Sequence, residues 1–257
     1  MTDGLMQAAA EVARKAGDVA LGFFRGGIQV DTKSDGTPVT VADRTAERTA
    51  RDWLEARFPQ DGILGEEFGE TRPGAPRRWI LDPIDGTKTF IRGVPLWGTL
   101  VALAEGERIL AGAAYFPAVG ELLVAAPGQG CFWNDKRARV SEQAELSRAV
   151  VLSTDERFLL HPERGEAWRA LAKEAAMDRT WGDCYGYLLV ATGRAEVMVD
   201  EILSPWDAAA LQPIIEEAGG VFTDWTGKRT SFGGNCIATN GALSRTVRER
   251  LGAAGGL

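Results

Sequence analysis

Histidine is almost absent from this 257-residue chain, with His161 the only one. A histidine nucleophile working with a second histidine, or a zinc or iron site built from several, therefore cannot be assembled within one chain. His161 precedes Pro162 in an expected loop and has the context of a structural or solvent-exposed residue. Cysteine is also scarce. Cys131, Cys184 and Cys236 lie far apart with no C-x-x-C spacing, so neither a disulfide framework nor a zinc ribbon is expected, and a reducing compartment fits. There is no basic excess: 29 Lys and Arg stand against 36 Asp and Glu, a net charge of -7, which leaves no footprint for nucleic acid or an anionic membrane. No apolar run approaches the roughly 20 residues of a bilayer span, and the N-terminus has no basic head followed by an apolar stretch. A soluble, cytoplasmic protein is expected.

What remains for chemistry is carboxylates, hydroxyls, lysines and metal ions. The chain is 45% hydrophobic, enough to bury a sizeable core. If its substrate is anionic, the protein's own negative field has to be offset locally, and bound cations are one means.

Leu5, Ala9, Val12, Ala16, Val19 and Phe23 recur at helical spacing, so residues 4–25 are expected to form an amphipathic helix stopped by Gly26-Gly27. After a polar loop from Lys33 to Pro38, Thr40 three residues before Asp43 signals a second helix. Its apolar face continues through Ala46, Ala50, Trp53, Leu54 and Phe58 until Pro59. Strands are expected at 79–81, 100–104, 109–115, 122–126 and 130–133, with tight separators at 105–107 and 127–129 that imply antiparallel neighbours. Beyond residue 145 strands and helices alternate: strands at 149–153, near 180, at 196–199 and 237–239, and helices at 165–176, 185–192, 206–218 and from 241. That rhythm suggests an α/β half.

Trp79 to Thr87 is an apolar strand running into a turn that carries Asp82 and Asp85. Pro83 removes a backbone donor and Gly86 permits unusual dihedrals, so the turn can aim two carboxylates and free amides at one point. Hard divalent cations prefer such oxygen ligands, and the carbonyl of Ile84 can join them. Each acid also has an ordinary explanation. Asp-Pro and Asp-Gly are common turn dipeptides. Asp207, in the first turn of a helix, can be a capping or macrodipole residue, as can Asp43 beside Thr40. Glu66 and Glu67 can be a solvated pair, and Lys88 a solvated lysine beside the turn.

Taken together, Val39 to Asp43, Gly65-Glu66-Glu67, Trp79 to Thr87 and Trp206 to Ala209 resemble, in order, the conserved segments of the inositol monophosphatase family. The resemblance implies an α+β and α/β layered αβαβα sandwich. It implies residues 1–145 as two helices on an antiparallel sheet with most metal ligands, and residues 146–257 as an α/β half supplying Asp207 and the substrate-selecting region. It further implies Glu66, Asp82, Asp85, Asp207 and the Ile84 carbonyl as ligands of two or three Mg2+ ions, which neutralise the phosphate and lower the pKa of water. Glu66 and Thr87 would activate that water, with Asp43 supporting them. The amides of Gly86 and Thr87, with Asp85, Lys88 and Asp207, would meet the substrate. The expected activity is hydrolysis of a small phosphate monoester by a homodimer.

Arg179 to Tyr187, with Val190 to Glu196, is similar to the branch of that family acting on histidinol phosphate. Such a substrate carries an amine and an imidazole, so its pocket requires carboxylates away from the metals. Asp183, Asp200 and Glu201 are candidates, and Arg179 resembles a substrate-region arginine. Inositol phosphates, fructose 1,6-bisphosphate and nucleotide 3'-phosphates are the alternative substrates, and a catalytically silent magnesium-binding regulator is the alternative class. A covalent aspartyl-phosphate route around Asp85 is disfavoured, because the position two residues earlier is Pro83.

Overall fold

An alanine-rich face allows the first helix to lie close to a sheet. The computed structural model describes residues 2–27, 30–32, 38–158 and 160–253, so the loop expected from Lys33 to Pro38 lies outside the described residues except for Pro38, which opens a strand. Helix α1 spans Thr2–Phe23, and Ala9, Val12, Ala13, Ala16 and Ala20 are buried along it. At Gly17 a Cβ would come within 2.6 Å of the Tyr115 ring, which marks how near helix and sheet approach. Strands β1 (Val30–Thr32) and β2 (Pro38–Thr40) form a small antiparallel ribbon. Helix α2 follows at Val41–Arg57 with the capping box that Thr40 and Asp43 predict.

Strands β3 (Gly62–Gly65), β4 (Gly69–Thr71) and β5 (Arg78–Asp85) lead to a single-turn helix α3 (Thr87–Phe90). Next come β6 (Gly98–Glu105), β7 (Arg108–Phe116), β8 (Glu121–Ala126), β9 (Gly130–Trp133) and β10 (Lys136–Arg137). They make an eight-stranded sheet in the order β10-β9-β8-β7-β6-β5-β3-β4. It is antiparallel as expected, except that β3 and β5 pair in parallel.

The remainder runs β11 (Val150–Ser153), α4 (Pro162–Glu174), β12 (Met177–Arg179), α5 (Asp183–Ala191), β13 (Val197–Asp200), α6 (Pro205–Ala208), α7 (Leu211–Glu217), β14 (Val221–Thr223), β15 (Cys236–Thr239) and α8 (Ser244–Leu251). The five-stranded sheet has the order β12-β11-β13-β15-β14. The continuous helix expected over 206–218 is two pieces. Pro213 has no N–H to offer the carbonyl of Ala209, and its ring crowds that carbonyl, so the chain restarts as α7. At this junction the main chain presses on β7, where a Cβ at Gly112 would lie 2.5 Å from the Ala210 carbonyl oxygen.

Three apolar layers hold five layers of structure together. The first joins α1 and α2 to one face of the large sheet through Ala16, Leu54, Trp79, Leu81 and Trp97. The second fills the space between the sheets with Leu100, Phe116, Tyr187, Leu188, Leu211 and Met198. The third packs α4 and α8 beneath the small sheet through Val151, Trp168, Val199 and Val247. The result is an αβαβα sandwich. Among the described residues, no helix is long and apolar enough to cross a membrane.

Candidate metal centre

Asp82 and Asp85 are three residues apart in a strand, which alternation would send to opposite faces. A bulge prevents this: Asp82 pairs with Leu100 and Asp85 with Gly98, so the bulged strand carries one extra residue. The turn is fixed internally. The Ile84 amide donates to Asp82 Oδ1 at 3.0 Å, and Thr99 Oγ1 donates to the Pro83 carbonyl at 2.8 Å. Thr87 Oγ1 donates to the Ile84 carbonyl at 3.0 Å. Gly86 then takes φ of 89°, in the left-handed region, to start α3.

From the second half of the chain, α6 brings Asp207 to the same point. Ligand oxygens of Asp82, Asp85 and Asp207 all lie within 4.8 Å of one another. Asp207 is also the capping residue that its position in a first turn suggests, accepting the Ser204 amide at 2.7 Å. Asp43 combines the two roles in the same manner. Its Oδ2 accepts the Thr40 amide at 2.8 Å and hydroxyl at 2.6 Å, while its Oδ1 lies 3.5 Å from Thr87 Oγ1. Capping and site membership are not alternatives here.

Glu66 follows β3 beside Asp82, its amide donating to the Leu81 carbonyl at 3.2 Å. It lies outside the closest three oxygens, yet its charge reaches Asp43, Asp82 and Asp207. Burial drives the Asp82 carboxyl well above the ordinary carboxylate range, and the charges of Glu66, Asp85 and Asp207 push it further. Asp85 is raised likewise by burial, then by Asp183 and Asp207, against hydrogen bonds from Cys184. Burial lifts Asp207 to about 7, opposed by the Ser204 amide. Asp43 is raised by burial, opposed by Thr40. Carboxylates forced together in a desolvated pocket favour an added positive charge. The donors are all hard oxygens, which fit a divalent cation of the magnesium or calcium kind.

On the far side of Asp85, α5 closes the site. The Cys184 amide donates to Asp85 Oδ2, and Asp183, at φ of 49°, turns its carboxylate toward Thr89 Oγ1 at 3.4 Å. Its amide is held by Thr154 Oγ1 at 2.8 Å. Burial raises the Asp183 carboxyl, while the Thr89 hydroxyl and the Lys88 charge oppose the rise. Asp183 and Lys88 line a cavity of about 660 Å³ together with Arg92, Thr154, Asp155 and Arg157.

The other expected site residues fall elsewhere. Asp200 is buried, accepts the Tyr187 hydroxyl at 2.8 Å and the Thr154 amide at 3.3 Å, and is lifted to about 6 by burial. Arg179 stays exposed on edge strand β12, near the Trp181 ring. Glu201 accepts the amides of Leu160 and His161. His161 begins α4 with Nδ1 3.3 Å from Glu163. Sequence reasoning missed Thr154, which nothing in its local pattern marks. It also missed Glu47, which shares a buried stripe of α2 with Asp43 and Arg51 beside the apolar stripe of Ala42, Ala46 and Ala50.

A layered sandwich whose bulged strand and inter-sheet helix converge on the buried Asp82 and the half-buried Asp85 and Asp207 defines a class of proteins with an acidic centre suited to a metal ion. The chain belongs to the inositol monophosphatase family, whose sequence pattern matches residues 1–254. It is 47% identical over 249 residues to the histidinol-phosphatase of Chlorobaculum parvum, covering 96% of each chain. Against the histidinol-phosphatase of Mycobacterium tuberculosis it is 40% identical, covering 88% of this chain and 89% of the other. The solved inositol monophosphatase of Zymomonas mobilis superposes with a TM-score of 0.87 at 33% identity, over 97% of this chain and 98% of that one.

Proposed function

We propose that this chain is a magnesium-dependent phosphatase that converts L-histidinol phosphate and water to L-histidinol and phosphate, a step of histidine biosynthesis. The observation that carries the reaction class is the convergence of Asp82, Asp85 and Asp207 within 4.8 Å in a member of this family. The substrate is supported by the two histidinol-phosphatase relatives and by the carboxylate that Asp183 presents beside the cavity. Glu66, Asp82, Asp85, Asp207 and the Ile84 carbonyl would hold two or three Mg2+ ions. When bound, these supply positive charge for the phosphate dianion and lower the pKa of water.

The chain's own groups do the rest. Thr87 Oγ1, held by the Ile84 carbonyl and near Asp43, accepts a hydrogen bond from the attacking water and orients it with Glu66. Proton loss is directed to these carboxylates. The first turn of α3 leaves its leading amides without intrahelical acceptors, so those of Gly86 and Thr87 receive phosphate oxygens, with Lys88 close by. Water attacks phosphorus in line with the leaving alkoxide, and no phosphoenzyme forms. Asp207 lies on the leaving-group side. Asp183 pairs with the cationic end of the alcohol, and Asp200 braces Thr154 and with it the Asp183 backbone.

On this reading residues 1–145 supply the metal turn, and residues 146–257 supply Asp207 and substrate selection. The enzyme acts as a cytoplasmic homodimer on a small phosphate ester, with neither nucleic acid nor membrane as partner. An inositol phosphate is the second reading, favoured by the Zymomonas mobilis likeness. A neutral polyol has no use for the half-buried Asp183 charge. Phosphate release with Mg2+ from histidinol phosphate, inositol 1-phosphate, fructose 1,6-bisphosphate and adenosine 3',5'-bisphosphate tests the assignment. Histidinol phosphate is expected to give the highest kcat/KM; preference for another ester overturns the substrate, and no release from any overturns the reaction.

A further inference from the structure

Glu47 lies one helical turn beyond Asp43 on α2, and both are fully buried on the face toward the metal turn. A carboxylate in such a place requires partners, and Glu47 has them on three sides. Its Oε2 accepts the Glu67 amide at 2.7 Å, and its Oε1 accepts the Phe68 amide at 3.2 Å and Arg51 Nε at 2.7 Å. Arg51 in turn donates through Nη2 to the Gly69 carbonyl. The Glu66 amide is held from the opposite side by the Leu81 carbonyl at 3.2 Å. Every residue from 66 to 69 is thus fixed through its main chain, and α2 supplies the ties at 67, 68 and 69.

The approach is close. A Cβ at residue 65 would lie 2.0 Å from Glu47 Oε1 and 2.4 Å from its carboxyl carbon, so a side chain here would displace the Glu47 carboxylate from these hydrogen bonds. Arg51 offsets the Glu47 charge, and the side chain spends its acceptors on the backbone of the turn that carries Glu66. We propose that Glu47 is a positioning residue that sets Glu66 for magnesium and water. The proposal rests on the magnesium-phosphatase reading above. Glu47 touches neither ion nor substrate, and acts by clamping residues 67 and 68, so that Glu66 enters the site at a fixed angle.

Calorimetric titration of the full chain with Mg2+ and no substrate, together with steady-state kinetics on histidinol phosphate, tests this. In Glu47→Gln one acceptor oxygen becomes an NH2 that opposes an amide donor. Its Mg2+ Kd is expected to rise about tenfold, with kcat lowered and KM at saturating Mg2+ nearly unchanged. If Glu47→Gln gives no cooperative melt, Glu47→Asp, which keeps the charge for Arg51 but shortens the reach, is expected to weaken Mg2+ binding in the same direction. In a Glu66→Ala background, the Glu47 substitution is expected to add no further loss of Mg2+ affinity, because its effect passes through Glu66. Wild-type Mg2+ affinity in the Glu47 variants, or an equal loss with and without Glu66, overturns the positioning role alone. Absence of Mg2+ uptake by the wild-type chain overturns the functional reading, and the positioning role with it.

Discussion

Asp183 lies in the left-handed region, at φ of 49°, which aspartate tolerates better than most residues, and its amide is tied to Thr154 so that the carboxylate stays beside the cavity. Its nearest cationic influence is Lys88, which also acts on Asp155 across the cavity. A substrate amine therefore enters a place where a half-buried negative charge is only partly offset. Asp183→Asn is expected to lower kcat/KM for histidinol phosphate about a hundredfold, while glycerol 2-phosphate, which has no cation, loses much less. Equal losses on both esters would show that Asp183 does not read the cation. The carboxylates at the ion site were individually ambiguous in the sequence because capping and ligation draw on the same residue types. The structure explains the ambiguity, since Asp43 gives one oxygen to a cap and turns the other to Thr87, and Asp207 caps α6 while it faces Asp82.

At the scale of elements, most of the fold was legible where a period repeats. The two N-terminal helices, the hairpins of the large sheet and the alternation of the second half follow from apolar spacing and turn residues. The strands β1, β2, β4, β10 and β14 were not legible, because two or three residues are too few to display an alternation, whereas β9, β11, β13 and β15, with four, were. The break between α6 and α7 was readable from Pro213 alone, yet the apolar run through Ala208, Ala209, Ala210 and Leu211 hides it. What no local pattern reveals is the bulge in β5. It depends on the cross-strand register with β6, a long-range property, and without it Asp82 and Asp85 would point apart. The clamp between α2 and the turn after β3 is of the same kind: Glu47 reads as one more surface acid until the two elements are packed together. Only the spacing of Asp43, Glu47 and Arg51, one helical turn apart beside the alanine stripe, gave a signal.

For the whole molecule, the site sits between its two sheets, with Asp82 and Asp85 from the large sheet and Asp207 from the segment after β13. Desolvated carboxylates at this seam repel one another, and an ion that binds them joins the two sheets as well as serving the reaction. Mg2+ is expected to stabilise the fold by mass action, by about 2.7 kcal/mol at a hundred times its Kd. For a chain of this size that corresponds to a rise in Tm of about 5–10 °C over the protein in EDTA. Calorimetric melts at matched ionic strength check this, and an unchanged Tm would mean that no ion binds the seam.

If these carboxylates hold the ion that drives phosphate release, turnover requires both the ion and the carboxylates. The direct measurement is initial-rate phosphate release from histidinol phosphate across a Mg2+ titration, for the wild-type chain, for Asp85→Asn and for the exposed control Asp52→Asn. The prediction is saturable Mg2+ dependence with no release in EDTA, a loss of about a thousandfold in Asp85→Asn that excess Mg2+ does not restore, and wild-type behaviour in Asp52→Asn. Turnover that persists in EDTA, or an Asp85→Asn enzyme that matches the wild type, would contradict it.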